Sequence, residues 1–214
     1  MAEFVDRQVS TLQAQYQANV ASAVSALARL RQGVGRAPGA DLELLGFAFQ
    51  PLRSTASGAS GDGALYDLLD LSSDEISPEE RAAYAAITLF ALHQQSRRDA
   101  PMHRRGHSFG QAARLLGQRN GASDAVRRRF TALGTATTWE ESVHHARALI
   151  QQFRQHRVQL DYGGFARDLL DLHGPFADRV RARWGRDYFR TGEAGEEKPE
   201  SPDRDAVSAP TTED

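Results

Sequence analysis

The chain of 214 residues contains no cysteine. That excludes a disulfide framework, a thiolate metal site and a thiol nucleophile. Lysine is nearly missing as well: Lys198 is the single one, so arginine carries almost all positive charge. No apolar run approaches the ~20 residues that a membrane-spanning helix needs, and the first residues lack a basic stretch followed by a hydrophobic one. A cytoplasmic protein is therefore expected, with no membrane partner. Strand-like alternation is absent beyond a few residues, which leaves an all-α fold as the expectation.

What is present is a chain 40% apolar, enough for a sizeable core. Its most marked stretch runs from Ser77 to Arg129. Ser77 and Glu80 have the spacing of a capping box, and Pro78 stands at the first helical position, where its missing N–H does no harm. From Ala82 to Leu92 apolar side chains surround the helix instead of forming one stripe, so neighbours must cover it on most sides. After Gln94 the chain turns basic. Arg97, Arg98, Arg104, Arg105, Arg114, Arg119, Arg127, Arg128 and Arg129 are accompanied only by Asp99 and Asp124. Such a local excess is the footprint of a polyanion-binding surface. Ser108 and Gln111 form a second capping box that restarts helix after the loop.

The remaining chain reads as helices. Val5, Val9, Leu12, Tyr16, Val20, Val24, Leu27 and Leu30 recur at intervals of three and four, predicting one helix over 2–31. Gly33, Gly35, Pro38 and Gly39 break it. Asp41 caps a short helix towards Pro51, residues 54–63 form a Gly/Ser connection, and a short helix follows around Ala64 to Leu71. Thr138 and Glu141 make a third capping box for a helix carrying Trp139, Val143, Ala146, Ile150 and Phe153. Gly134 reads as a helix stop before it. Asp161 opens a helix closed at Gly174. Pro175 begins the last, with Phe176, Val180 and Trp184 inward and its arginines outward. The expected organisation is an N-terminal helical bundle over 1–117, a C-terminal bundle over 118–191 and an acidic segment over 192–214. That segment holds eight acids against Lys198 and Arg204, with too little apolar content to offset the entropy of ordering, so disorder is expected there.

Catalytic constellations are weak. His103 and His107 have i, i+4 spacing, but Gly106 and Pro101 argue against a helix and no carboxylate accompanies them. Ser108 is better explained as a helix cap than as a nucleophile. Asp67, Asp70, Asp74, Glu75, Glu79 and Glu80 cluster as a metal-dependent nuclease would require, yet a solvated face and helix-start acids explain them. No catalytic residue, metal or cofactor is expected. The candidate nucleic-acid-binding set is Arg97, Arg98, His103, Arg104, Arg105, Arg114, Arg119, Arg127, Arg128 and Arg129.

The succession ALHQQS, MHRRGHSFGQAARLL, RRRFTALGTA, HHARALIQQFRQHRVQLDYGGFARDLLDL and RVRARWGRDYF, within Pro78 to Phe189, closely resembles the CasB family. That family supplies the small subunit of the type I-E CRISPR surveillance complex, Cascade. The N-terminal third resembles it only in helical character. The resemblance implies a non-enzymatic, all-helical protein of two bundles, present as a pair and touching the backbone and large subunits. CRISPR RNA, target DNA and the displaced single strand of the R-loop would be its nucleic-acid partners. Matching positions are Arg97, Arg98, His103, Arg104, Arg105, Ser108, Gly110 and the arginines 127–129. The main alternative is a helical adaptor whose basic surface meets acidic protein.

Overall fold

The computed structural model describes residues 1–49 and 75–190. The expected connection 54–63, the short helix near 64–71, the carboxylates Asp67, Asp70 and Asp74, and the acidic segment 192–214 lie outside the described residues. Within them the chain is all-α, as expected. The helices are α1 (Ala2–Gln17), α2 (Ala21–Leu30), α3 (Leu42–Phe49), α4 (Pro78–Gln94), α5 (Phe109–Asn120), α6 (Ser123–Thr135), α7 (Trp139–His156), α8 (Tyr162–Leu172) and α9 (Ala177–Phe189).

Helix α4 is the axis of the fold. Ser77 Oγ accepts from the Glu80 N–H at 3.1 Å, and the Glu80 carboxylate accepts from the Ser77 N–H at 2.7 Å. Both orphan donors at the helix start are thereby satisfied. Every side chain from Ala82 to Gln94 is buried, because α1, α2, α3, α7 and α8 all pack on it. Fully burying side chains such as Ile87, Leu89 and Phe90 contributes about 1.5–3 kcal/mol each.

The single helix expected over 2–31 is two helices. Asn19 takes a left-handed φ of 58°, a conformation that asparagine tolerates better than most residues, and so separates α1 from α2. Val20, expected in the core, is 39% exposed at that turn. The break lets α1 pack along α8 and α4 while α2 turns to α3 and α4. Asp41 caps α3 as expected, its Oδ1 accepting from the Glu43 and Leu44 N–H groups at 3.0 and 3.4 Å.

Chain order and packing order differ. Helix α8, from late in the chain, lies against α1 and α4, whereas α5 gathers α6, α7 and α9. The buried apolar side chains form one connected cluster running from Phe4 to Trp184. Its second focus is aromatic: the Phe109 ring lies 4.9 Å from Phe165, 5.1 Å from Trp184 and 5.3 Å from Phe153. Gly110 sits where α9 crosses α5, and a Cβ there would run into the Trp184 carbonyl oxygen. Gly121, at φ +65°, closes α5. Gly134 does not stop α6, which continues to Thr135. Phe176, expected inward, is 44% exposed with the Arg179 guanidinium 4.8 Å from its ring centre.

Candidate nucleic-acid interface

The basic loop between α4 and α5 is held along its length. Gln94, buried at the end of α4, donates to the carbonyls of Arg97 and Ala100 and accepts from the Met102 N–H. The loop then pairs with the segment before α8: Leu160 N–H donates to Met102 O at 3.0 Å, and Arg104 N–H to Leu160 O at 3.1 Å. Gly106 N–H donates to Asp161 Oδ2 at 2.8 Å. The loop is therefore a clipped strap over α8.

That clipping takes one candidate off the surface and pairs a second with a carboxylate. His103 is 5% exposed, with Nε2 3.1 Å from Asp6 Oδ1 and Nδ1 accepting from the Tyr162 N–H at 3.2 Å. It is a core residue and cannot reach a phosphate. Arg105 keeps an exposed side chain, but its Nε donates to Asp6 Oδ1 at 2.7 Å and Nη2 donates to Asp6 Oδ2. Burial raises the Asp6 carboxyl, yet the hydrogen bond and charge of Arg105, with the hydrogen bond from His103, outweigh it and hold the group below the usual carboxylate range. Between them Arg104 stays exposed, with no ion pair among the described residues. Burial and the charge of Arg104 together lower His107. Arg114, on α5, is half-buried, its Nε enclosed without a hydrogen-bond partner.

The other arginines converge on one end of the molecule, around the C-terminus of α7. Arg97 Nε donates to Arg154 O at 3.2 Å, and Arg119 Nη1 donates to His156 O and Arg157 O at 2.8 and 3.0 Å. Arg154 Nη1 donates to Gln95 Oε1 at 2.7 Å. Arg157 pairs with Asp99 at 2.8 Å and adopts φ 55°, a left-handed conformation costing a non-glycine residue about 1–2 kcal/mol. Arg98 lies 5.3 Å from the Tyr16 ring centre. The Arg97 and Arg119 guanidinium groups satisfy the last carbonyls of α7 and offset its negative dipole end. Arg154 and Arg157 were not in the candidate set. The signal for them was the last turn of α7, QQFRQHR, where cations belong at a helix end.

Helix α6 begins beside this end, since it starts at Ser123, a few residues after the Arg119 that bonds the last carbonyls of α7. Arg127, Arg128 and Arg129 are all exposed. Arg127 pairs with Asp124 at 3.3 Å. Arg128 and Arg129 have no carboxylate partner among the described residues. The end of α9 meets the same place: the Tyr188 ring stacks on Phe130 at 5.0 Å and its hydroxyl donates to Ser123 O at 3.4 Å.

Two catalytic candidates among the described residues serve as helix caps. Ser108 Oγ accepts from the Gln111 N–H at 3.2 Å and donates to Asp187 at 2.6 Å, so it caps α5 and joins it to α9. Glu80 is taken up by its capping box. Among the described residues no group of three or more His, Asp or Glu side chains could hold a metal ion, and no helix is long and apolar enough to cross a membrane.

The sequence profile described as CRISPR-associated protein Cse2 (CRISPR_cse2) matches residues 26–189. The chain belongs to the Cse2 family. Among solved structures, CasB from Thermobifida fusca is 32% identical, with a TM-score of 0.70 over 87% of this chain and 96% of that one. A Cse2-family CRISPR-associated protein from Thermus thermophilus shares the fold at 20% identity, TM-score 0.60, covering 87% of this chain and 97% of its own. A structure described as CasB from Thermus thermophilus does so at 21% identity and TM-score 0.59, covering 87% and 97% respectively. A comparison with curated proteins gave no match. The Cse2 match starts at Ala26, inside α2, so it takes in part of the N-terminal third that resembled the family only in helical character.

Proposed function

We propose that this Cse2-family chain is a non-catalytic small subunit of a type I-E CRISPR RNA-guided complex. In this reading it holds nucleic-acid backbone without sequence preference and prolongs the R-loop. The observation that carries the proposal is the gathering of Arg97, Arg98, Arg119, Arg154 and Arg157 at one helix end, beside the exposed Arg128 and Arg129. Guanidinium groups on a rigid scaffold neutralise phosphates and carry no base readout. None is needed, because guide pairing supplies sequence and strand exchange is nearly balanced in energy, so backbone contacts decide how long the R-loop persists.

The partners in this reading are CRISPR RNA, the target strand, the displaced strand, the backbone and large subunits of Cascade, and a second copy of the chain, all in the cytoplasm. Phe189, 67% exposed at the end of α9, offers an apolar anchor to a neighbouring subunit. The test is R-loop lifetime in the assembled complex at physiological salt. Complexes carrying Arg128→Ala and Arg129→Ala together are expected to lose the R-loop several-fold faster than the parent. Equal lifetimes reject the reading.

A further inference from the structure

A second basic feature lies at the other end of α7. A cleft of about 360 Å³ opens between the turn after α2 and the first turns of α4 and α7. Its walls include Arg36 from the turn, Arg81 and Tyr84 from α4, and Trp139, Glu140 and Arg147 from α7. The guanidinium groups of Arg36, Arg81 and Arg147 have no hydrogen bond or ion pair among the described residues. Tyr84 is 3% exposed, and its hydroxyl, set against Gly33 at the cleft wall, has no hydrogen-bond partner among them either. Leaving such a group unmet costs stability, so a ligand that accepts from it is favoured. Gly33 makes room for it, since a Cβ there would run into the Tyr84 hydroxyl. Burial and the charge of Asp41 raise that hydroxyl against the opposing charge of Arg36, so it remains a donor. Asp41 itself is taken up at the start of α3.

We propose that this cleft binds a nucleotide through its phosphate monoester, held by Arg36, Arg81, Arg147 and the Tyr84 hydroxyl, with the base against the Trp139 indole. Counting histidine as neutral, three guanidinium groups face the single carboxylate of Glu140 in the cleft wall, an excess of two positive charges. A phosphate monoester matches that excess, with about −1.5 to −2 charge at pH 7 and three strong acceptor oxygens. An internal phosphodiester carries only one negative charge. Planar guanidinium forks suit phosphate oxygens, which they bind two at a time. The cleft has the size of a small-molecule site, about 300–1,000 Å³. Trp139 is half-buried in its wall. Every base offers a π-face to an indole, so the identity of the base should matter little. Trp139 and His156 stand at opposite ends of α7, about 25 Å apart at 1.5 Å per residue. The cleft is therefore separate from the arginines of the nucleic-acid reading and does not rest on it.

Tryptophan fluorescence reads the cleft directly. The chain has two tryptophans, and Trp184 is 1% exposed, so a ligand in the cleft quenches Trp139. Adenosine 5′-monophosphate is expected to quench saturably, and adenosine is not. Arg36→Ala with Arg147→Ala, both exposed and unpaired among the described residues, should weaken that binding by about tenfold or more at an unchanged urea midpoint. Tyr84→Phe removes only the hydroxyl and should weaken it by about threefold to tenfold. Equal affinity in the parent and the double variant, equal quenching by adenosine, or no saturation by the monophosphate in the parent overturns the proposal. Short single-stranded oligonucleotides with and without a 5′-phosphate then compete against adenosine 5′-monophosphate. Displacement by the phosphorylated strand alone supports the site with a strand end as its ligand. Displacement by neither supports it with a free nucleotide as its ligand. Equal displacement by both shows that internal phosphodiesters suffice, which overturns it.

Discussion

Asp6, in the first turn of α1, grips Arg105 with both carboxylate oxygens across 99 residues of chain and also takes a hydrogen bond from the buried His103. This ties the basic loop to the opposite end of the sequence. Asp6→Ala leaves the buried His103 nitrogen without its partner and is expected to cost about 2–3 kcal/mol of stability, seen as a lower urea midpoint. Single-strand binding should not fall, since Arg105 is released. An unchanged midpoint would show that the pair is decorative.

Two buried groups set opposite pH slopes. His93 is fully enclosed against Tyr162, and burial pushes it down to about 3. The unfolded chain therefore takes up that proton first, and stability falls as pH drops below the ordinary histidine value near 6.5. Asp168 is raised to about 6 by burial, against the lowering effects of the Arg183 charge and the Trp184 indole N–H bond at 2.6 Å. Its contribution is fully present below about pH 4 and is lost as pH rises through 6. In urea titrations between pH 4 and 6.5, His93→Gln should make the loss of stability on acidification shallower. Asp168→Asn should make it steeper. Slopes that do not move, or move the other way, contradict these assignments.

Gly110 lacks a side chain at the point where α9 crosses. Gly110→Ala drives a Cβ into the Trp184 carbonyl and within 3.0 Å of the Asp187 Cβ. Backbone cannot yield as a flexible side chain does, so a destabilisation of about 1–3 kcal/mol is expected. Near-ultraviolet circular dichroism of Trp184 should change as well. A variant with parental melting and spectrum would contradict the close approach.

Arg104 and Arg105 look alike in sequence and are expected to behave differently. Arg104→Ala should weaken single-strand binding slightly and leave the urea midpoint where it was, because its guanidinium is exposed and has no ion pair among the described residues. Arg105→Ala should lower the midpoint, since it strips the buried Asp6 of its main partner. Identical effects of the two substitutions on folding would remove the distinction.

Local chemistry was legible in the sequence, and long-range pairing was not. Three capping boxes, Ser77 with Glu80, Ser108 with Gln111 and Thr138 with Glu141, form as their spacing demands. The encircled apolar helix is buried on every side for the reason its composition implied. By contrast, periodicity alone ran α1 into α2, because nothing in a three-four repeat marks a left-handed Asn19. His103 was grouped with surface cations, and the pairing of the exposed Arg105 went unseen, because their shared partner Asp6 stands near the start of the chain. Arg97 and Arg119 stand out in the sequence by charge alone, and their shared target, the end of α7, emerges only once the helices pack.

One end of this helical molecule is proposed to bind sugar-phosphate chains through charge alone. Its most direct test is retention of labelled single-stranded DNA across a salt series, with two unrelated sequences. If roughly four phosphates are neutralised, log K should fall with log salt at a slope near −3, alike for both sequences. Arg128→Ala with Arg129→Ala should flatten that slope by about one unit. No retention at low salt, or an affinity that ignores salt, would contradict the account.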